Sequence, residues 1–323
     1  MNSVLVVTRK ELLDLRRNKF LILLLGFVVV AVTLSVVVAS IDFRVKLDAY
    51  TGYVDALKAS GSSVAPTRPQ LFPLQLLRGG VEYVELIGAL FAIITGYGMV
   101  AKERRRATIE LLFSRPLSTY SLATGKVLAL AITWLVAVGV IFTAATATLL
   151  LVGNAAMTGV DVGRLVISAA LAWAFLLLWS AVAMGLASVS LRLSTGLIVA
   201  LVAWLVVVLI IPQVGDTMDP DNQVPGGLFK TLAIAKPDEK AVLANFTAFD
   251  TVRNLFELSS ITKHFERATF AFLGIKDAFN QAPIGLVWAK TLNNSLALAA
   301  GTIAAVAFAV GSTTRKTLLR RQS

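Results

Sequence analysis

Apolar positions gather into six long runs with little polar interruption, roughly at 20–40, 83–101, 127–152, 165–189, 195–214 and 291–310. Each is close to the about 20 helical residues that cross a hydrocarbon core. Most lack the polar face that a core helix of a large soluble protein keeps toward water. The pattern predicts an all-α integral membrane protein with six spanning helices. Ahead of the first run, SVLVVTRKELLDLRRNKF places Leu5, Leu12 and Leu15 on one helical face. Arg9, Lys10, Arg16 and Arg17 fall where they reach phosphate headgroups. This predicts an amphipathic elbow helix that skims the membrane surface before the chain turns in at Phe20.

Two intervening segments are long. Residues 41–80 hold a Gly/Ser/Pro-rich middle, SGSSVAPTRPQLFP, and LLRGGVEY leads on into the second run. Residues 215–290 open on the turn-rich VGDTMDPDNQVPGG, after which Pro237, Asp238 and Glu239 resemble a helix start. Val242, Phe246 and Phe249 share a face, and a longer stripe follows at Leu258, Ile261, Phe265, Ala268 and Phe272. Glu257, Lys263, Glu266 and Arg267 take the other faces, too many charges for a span. The expectation is a set of outer interfacial helices, lying on the membrane or packed on the spans, with a small ectodomain core as the alternative.

Composition agrees with the pattern: of 323 residues, 57% are hydrophobic and 15% charged. The first apolar run is too long for a signal core and has no clear small-residue cleavage site, so it is expected to stay as a span. The absence of cysteine excludes disulfides and thiolate metal sites. The net charge of +11 is informative through its placement. With the N-terminus in the cytoplasm, the inner segments 1–19, 102–126, 190–194 and 311–323 hold 16 basic residues and 4 of the 19 acids. The other 14 basic residues are spread over about twice the length. By the positive-inside rule both termini and 102–126 are cytoplasmic in a multi-pass plasma-membrane protein. No basic, aromatic-interleaved domain forms a nucleic-acid groove.

Chemistry is sparse. A phosphate-cradling P-loop needs Gly-x-x-x-x-Gly-Lys-Ser/Thr; Gly125-Lys126 is followed by Val127 and lacks the preceding glycine. The single histidine, His264, cannot form a zinc pair and reads as solvated or interfacial. No metal site is expected. Glu82 and Glu85, at the outer mouth of the second span, read as rim contacts to a partner or headgroup. Asn293 and Asn294 read as hydrogen-bonding links between helices. Asn245-Phe246-Thr247 and Asn293-Asn294-Ser295 match the short glycosylation pattern.

The polar island AKERRRATIELLFSRPLSTYSLATGK, residues 101–126, remains. Arg104, Arg105 and Arg106 stop the second span and orient it. Ala107 to Phe113 then suffice for two helical turns with Ile109, Leu112 and Phe113 clustered, and Pro116 ends them. A short, partly apolar helix beside charges suits docking into a groove of a soluble partner.

Glu103, Thr108-Ile109-Glu110-Leu111-Leu112, Ser114-Arg115-Pro116-Leu117-Ser118 and Gly125-Lys126 together resemble the cytoplasmic loop of type-2 ABC transporter permeases, particularly the NosY-like group. RKELLDLRRNKF at 9–20 resembles their elbow helix, and the six-span layout with a large outer loop before the last span is similar too. The family commonly has glycine before the threonine; here it is Ala107. The resemblance implies a transmembrane subunit without chemistry of its own, holding no cofactor itself, with ATP and Mg²⁺ held on a separate soluble ABC ATPase. It implies a second permease copy, a homodimer lined by the first and fifth spans, with an extracytoplasmic accessory protein as a further partner and lipid around it. Residues 107–116 would be the coupling helix, and Glu103, Thr108, Ile109, Glu110, Leu111, Leu112, Phe113, Pro116, Gly125 and Lys126 the ATPase-coupling set. A secondary transporter or channel explains six spans equally well, and a membrane anchor of an assembly complex explains the docking loop.

Overall fold

The computed structural model describes residues 3–61, 72–106, 118–153, 157–218, 228–234, 236–244, 247–280 and 282–318. Among these there is no strand. The elbow α1, Ser3–Arg17, is followed by α2, Lys19–Ala59, whose N-terminus is capped by the Asn18 side chain accepting from Phe20 and Leu21 N–H. The second span is α3, Pro73–Arg104, and its helix carries on through Arg106. Then come α4, Thr119–Leu151, α5, Gly159–Val189, and α6, Leu193–Thr217. Two outer helices, α7 (Thr247–Ser259) and α8 (Ile261–Phe272), precede the last span α9, Ile284–Ser312, and a short α10, Arg315–Leu318. Among the described residues, six helices, α2 to α6 and α9, are long and apolar enough to cross a membrane.

α2 does not stop near residue 40, where its apolar run ends. Its 41 residues rise about 60 Å, twice the thickness of a hydrocarbon core. Its C-terminal half therefore stands beyond the bilayer as continuous helix, because 41–59 hold no proline and few glycines to break it.

The centre of the bundle is α5. A capping box starts it: the Thr158 hydroxyl accepts from Asp161 N–H while the Asp161 carboxylate accepts from Thr158 N–H. Seventeen of its residues are buried, and α3 and α9 pack along it. Lipid tails give no hydrophobic drive to helix association, so close approach of backbones matters here. At Gly96 of α3 an added Cβ would lie 1.9 Å from the Ser180 carbonyl oxygen of α5.

π-helical turns interrupt α3 at Val84–Gly88 and α6 at Leu205–Ile210, and the two lie against each other. Such turns free a carbonyl. Ser260 Oγ, at the junction of α7 and α8, donates to Val207 O at 2.8 Å. The outer stripe divides at this junction. Phe265, Ala268 and Phe272 of α8 are fully buried, whereas Leu258 sits on α7 and is 51% exposed. The stripe expected over one continuous helix thus belongs to two, because Ser260 caps α8 by accepting from Lys263 N–H. Phe265 stacks on Phe175 of α5 with centroids 4.5 Å apart and planes 12° from parallel. α8 is packed on the spans, not laid on the membrane.

Polar links complete this outer layer. His264 Nδ1 and Asn294 Oδ1 are 2.8 Å apart, which makes the histidine a clasp between α8 and α9 and gives Asn294 the linking part expected of it. Glu85 is buried, not on the rim, while Glu82 is half-buried and paired with Arg78. The buried Arg164 of α5 donates to the carbonyls of Phe272, Phe279, Asn280 and Ala282. Outside the membrane, Lys263 has its pKa raised: burial lowers it, but Glu266 and then Asp216 more than offset that. Phe246 and the side chain of Phe249 lie outside the described residues.

Gly96→Ala should force α3 away from α5 at a cost of about 1–3 kcal/mol. Gly98→Ala, where an added Cβ meets nothing within 4 Å, should be near neutral. Thermal unfolding of the two variants in detergent measures the contrast.

Candidate functional site

The described ends of the island meet the elbow. α1 lies across the base of α4, and the fit depends on Gly125: a Cβ there would come within 2.7 Å of Val7 Cβ and 3.0 Å of Val4 O. Thr8 Oγ1 donates to Val4 O at 2.9 Å and to Gly125 O at 3.2 Å. Ser3 Oγ donates to Ser121 Oγ at 2.9 Å. The buried line of α1 is Val7, Thr8 and Glu11, with Leu12 and Leu15 half buried. Leu5, expected on that face, is 59% exposed. The helix is rotated so that a charge points inward.

That charge answers Lys126, whose side chain is wholly buried. Its ammonium donates to Glu11 Oε1 at 2.8 Å, Glu103 Oε1 at 2.9 Å and Met99 O at 2.9 Å. Three N–H donors meet three acceptors, the full capacity of a lysine. Around this centre Lys102 pairs with Glu11 and, at 3.0 Å, with Asp14, while Lys10 reaches Glu103 at 3.0 Å and Glu11 at 3.3 Å. Lys10, Lys102 and Lys126 balance Glu11, Asp14 and Glu103, so the network is neutral. Burial pushes the Glu11 carboxyl up, but the ammonium groups of Lys126 and Lys102 and their hydrogen bonds outweigh it and hold it at about 2. Lys10 is held above its usual value: burial lowers it, and Glu103 followed by Glu11 raises it further. Glu103 Oε2 is buried without a hydrogen-bond partner.

A second fastening lies beside the first. Arg104 Nη1 donates to Ala187 O at 3.0 Å and Ser190 O at 2.8 Å, and Nη2 donates to Leu191 O at 2.9 Å. A guanidinium thus caps the C-terminus of α5, where backbone carbonyls lack helical partners and the helix dipole favours a cation. On the far side of the island, Ser118 Oγ accepts from Ser121 N–H at 3.1 Å and starts α4. Both flanks of 107–117 are tied into the bundle.

Of the residues read as a coupling set, Glu103, Gly125 and Lys126 come together, and all three face the interior of this chain. Thr108, Ile109, Glu110, Leu111, Leu112, Phe113 and Pro116 lie outside the described residues, as does Ala107. Of the participants that were not foreseen, two matter most. Glu11 was legible as an acid inside a basic helix, three residues after Thr8 and four after Val7, the residues it is buried beside. Arg104 was assigned to the general charge of its trio, and nothing in the sequence marks it as a cap. Among the described residues, no group of three or more His, Cys, Asp or Glu side chains is placed to hold a metal ion.

Lys126→Met removes the ammonium between two buried carboxylates, and should destabilise by about 3 kcal/mol or more. Combining it with Glu103→Gln should cost less than the sum of the two changes in thermal unfolding. The depressed pKa of Glu11 means that its contribution is present above about 4.5 and is lost as pH falls toward about 2. The stability difference between wild type and Glu11→Gln should therefore stay constant from pH 8 to 5 and shrink below that.

No curated protein matches the chain significantly. The family model described as "ABC-2 family transporter protein" matches residues 5–318, from the elbow through all six spans to α10. The match takes in both flanks of the island and the ionic centre between them, and with it the chain belongs to the ABC-2 family of transporter membrane proteins.

Proposed function

We propose that this chain is the permease subunit of a NosY-like ATP-driven exporter, which works as a homodimer on two copies of a separate soluble ABC ATPase. The observation that carries this reading is the double fastening of 107–117. A push on a loop does work on a bundle only if its ends cannot yield. Here Glu103 ties one end to Lys126 of α4 and, through it, to Glu11 of the elbow, while Arg104 ties the same end to the turn between α5 and α6.

In this reading Ile109, Leu112 and Phe113 lie in a groove of the ATPase, and Thr108, Glu110, Leu111 and Pro116 shape the short helix that presents them. ATP is held with its Mg²⁺, and hydrolysed, on the partner. Closure of the ATPase pair then moves the elbow, α3, α4 and the α5–α6 turn as one body, a rigid-body switch between inward- and outward-facing states. Glu103, Gly125 and Lys126 serve as the mount of the coupling helix, beneath its docking face.

The first and fifth spans, α2 and α6, have 17% of their most apolar stretch buried, against 67% for α3. They offer the most surface to lipid and to a second copy related by a two-fold axis along the membrane normal. Substrate passes outward between the copies. The termini and 102–126 are cytoplasmic in the plasma membrane, supported by the density of basic residues there. Leu255 and Leu258, exposed on the outer helix α7, suit contact with an extracytoplasmic accessory protein.

The cysteine-free chain suits labelling. A cysteine at Ser118 should react with an impermeant reagent only in opened cells, and one at Ser60 also in intact cells; the reverse pattern would invert the topology. Leu112 and Phe113 replaced together by Ala should lower recovery of the co-expressed ATPase, each anchor being worth about 1–2 kcal/mol. Lys126→Met should instead retain the ATPase and lose permease-stimulated ATP hydrolysis. Absence of any associating ATPase for the wild type would return the chain to the channel or anchor readings.

A further inference from the structure

The elbow and the second span do not close on one another. Between the last turn of α1, the first turns of α2 and the island-side half of α3 lies a cavity of about 300 Å³. This is the lower end of the range for small-molecule sites. Its lining is divided along its depth. Asp14, Asn18 and Lys102 stand where the helices leave the membrane, whereas Leu21, Leu24 and Ile94 lie farther into the span. At 1.5 Å per residue, Ile94 is about 12 Å deeper than Lys102 along α3. A smaller apolar void of about 40 Å³ shares Leu21 and Leu24 and continues along Val28, Gly88 and Phe91. The space therefore offers a charged mouth and an apolar extension, which fits an amphiphile better than a soluble metabolite.

The mouth carries charges of both signs. Lys102 and Asp14 pair at 3.0 Å yet are 27% and 46% exposed, so each can exchange its partner for a group of the ligand. Asn18 spends its side-chain oxygen on the α2 cap and keeps its amide nitrogen as a donor.

We propose that this cavity binds a membrane phospholipid with a primary-ammonium headgroup. The phosphate is held by Lys102 and the Asn18 amide, the ammonium by Asp14, and one acyl chain follows Leu21 and Leu24. A primary ammonium donates hydrogen bonds to a carboxylate. A choline headgroup cannot, and a glycerol headgroup leaves the lipid anionic beside Asp14 with no cation to meet it. The expected order is ethanolamine over choline over glycerol. Lys102 also pairs with Glu11, so a seated lipid bears directly on the ionic centre that holds the elbow. The site is lined by residues of one chain and does not depend on an ATPase.

Native mass spectrometry of the isolated, delipidated chain tests this, after equilibration in detergent with equal amounts of phosphatidylethanolamine, phosphatidylcholine and phosphatidylglycerol. The wild type should retain the ethanolamine lipid with a preference of about tenfold, the scale of one charge-assisted hydrogen bond. Asp14→Asn, at an exposed position, should level ethanolamine with choline. Leu24→Trp, with its unfolding temperature checked beside the wild type, should lose retention of all three. Soluble phosphoethanolamine should not displace the lipid; if it does, the site recognises a free headgroup and the lipid reading fails. Equal retention of the three lipids by the wild type, or a preference that survives Asp14→Asn, would overturn the proposal.

Discussion

A lysine ammonium without access to water is costly unless every donor is matched and opposite charge is close, the penalty after relaxation being several kcal/mol per ion. Lys126 meets that requirement with two carboxylates and one carbonyl, and the arrangement dictates what surrounds it. Glu11 has to come from the elbow, so α1 is rotated to bury Val7, Thr8 and Glu11 and lies close on α4. That approach needs glycine at 125. Glu103 has to come from the end of α3, which fixes where the second span stops. Lys10 and Lys102 then offset the second carboxylate and, with it, Asp14, bringing the cluster of three lysines and three carboxylates to neutrality. Neutrality restricts the cost of burial to desolvation and leaves no net charge to draw in water.

The opposite end of the bundle uses a related device. Arg164 is buried at the outer end of α5 and holds the carbonyl of Phe272, which ends α8, and three more in the segment that leads to α9. Between the two ends, packing depends on small residues, with Gly96 against Ser180 and Gly185 against Phe308. Polar fastenings at both faces and close backbone contact in the middle suit a solvent that gives apolar surfaces no reason to associate. In the proposed reading they also suit a body that tilts as a unit, since the fastenings around Lys126 lie beside the loop on which an ATPase would act. The facing π-helical turns of α3 and α6 are the exception, a place where regular hydrogen bonding is relaxed and Ser260 takes up one carbonyl.

Much of this was legible in the sequence because membrane helices carry strong signals. Six apolar runs matched the six span-length helices, and the elbow, the packed Phe265–Ala268–Phe272 line and the link at Asn294 followed from periodicity and residue type. Boundaries were less legible. α2 runs on to Ala59 because nothing in 41–59 breaks a helix, and hydropathy marks only where lipid ends. The break at Ser260 is a local cap that apolar spacing does not register. Lys126 read as part of the coupling set through the resemblance of Gly125-Lys126 to the permease loop, and a lysine at a span end normally snorkels to water. Its burial follows from Glu11, 115 residues away in the chain, and sequence order cannot show that they meet. Arg104 was hidden among its neighbours for the same reason: its partners are carbonyls, which leave no trace in residue type.

The central claim is that elbow, third span and the turn after the fourth move as one body driven from the loop. Electron spin distances test it most directly, using complexes in which one permease copy carries nitroxides at exposed positions of the cysteine-free chain. Pairs at Leu13 with Tyr120, and at Leu13 with Leu191, should keep the same distance distributions with and without ATP on the partner ATPase. Labels at Leu13 alone, one on each copy, should shift with nucleotide. A nucleotide-dependent change within either intrachain pair, with the interchain distance fixed, would contradict the account.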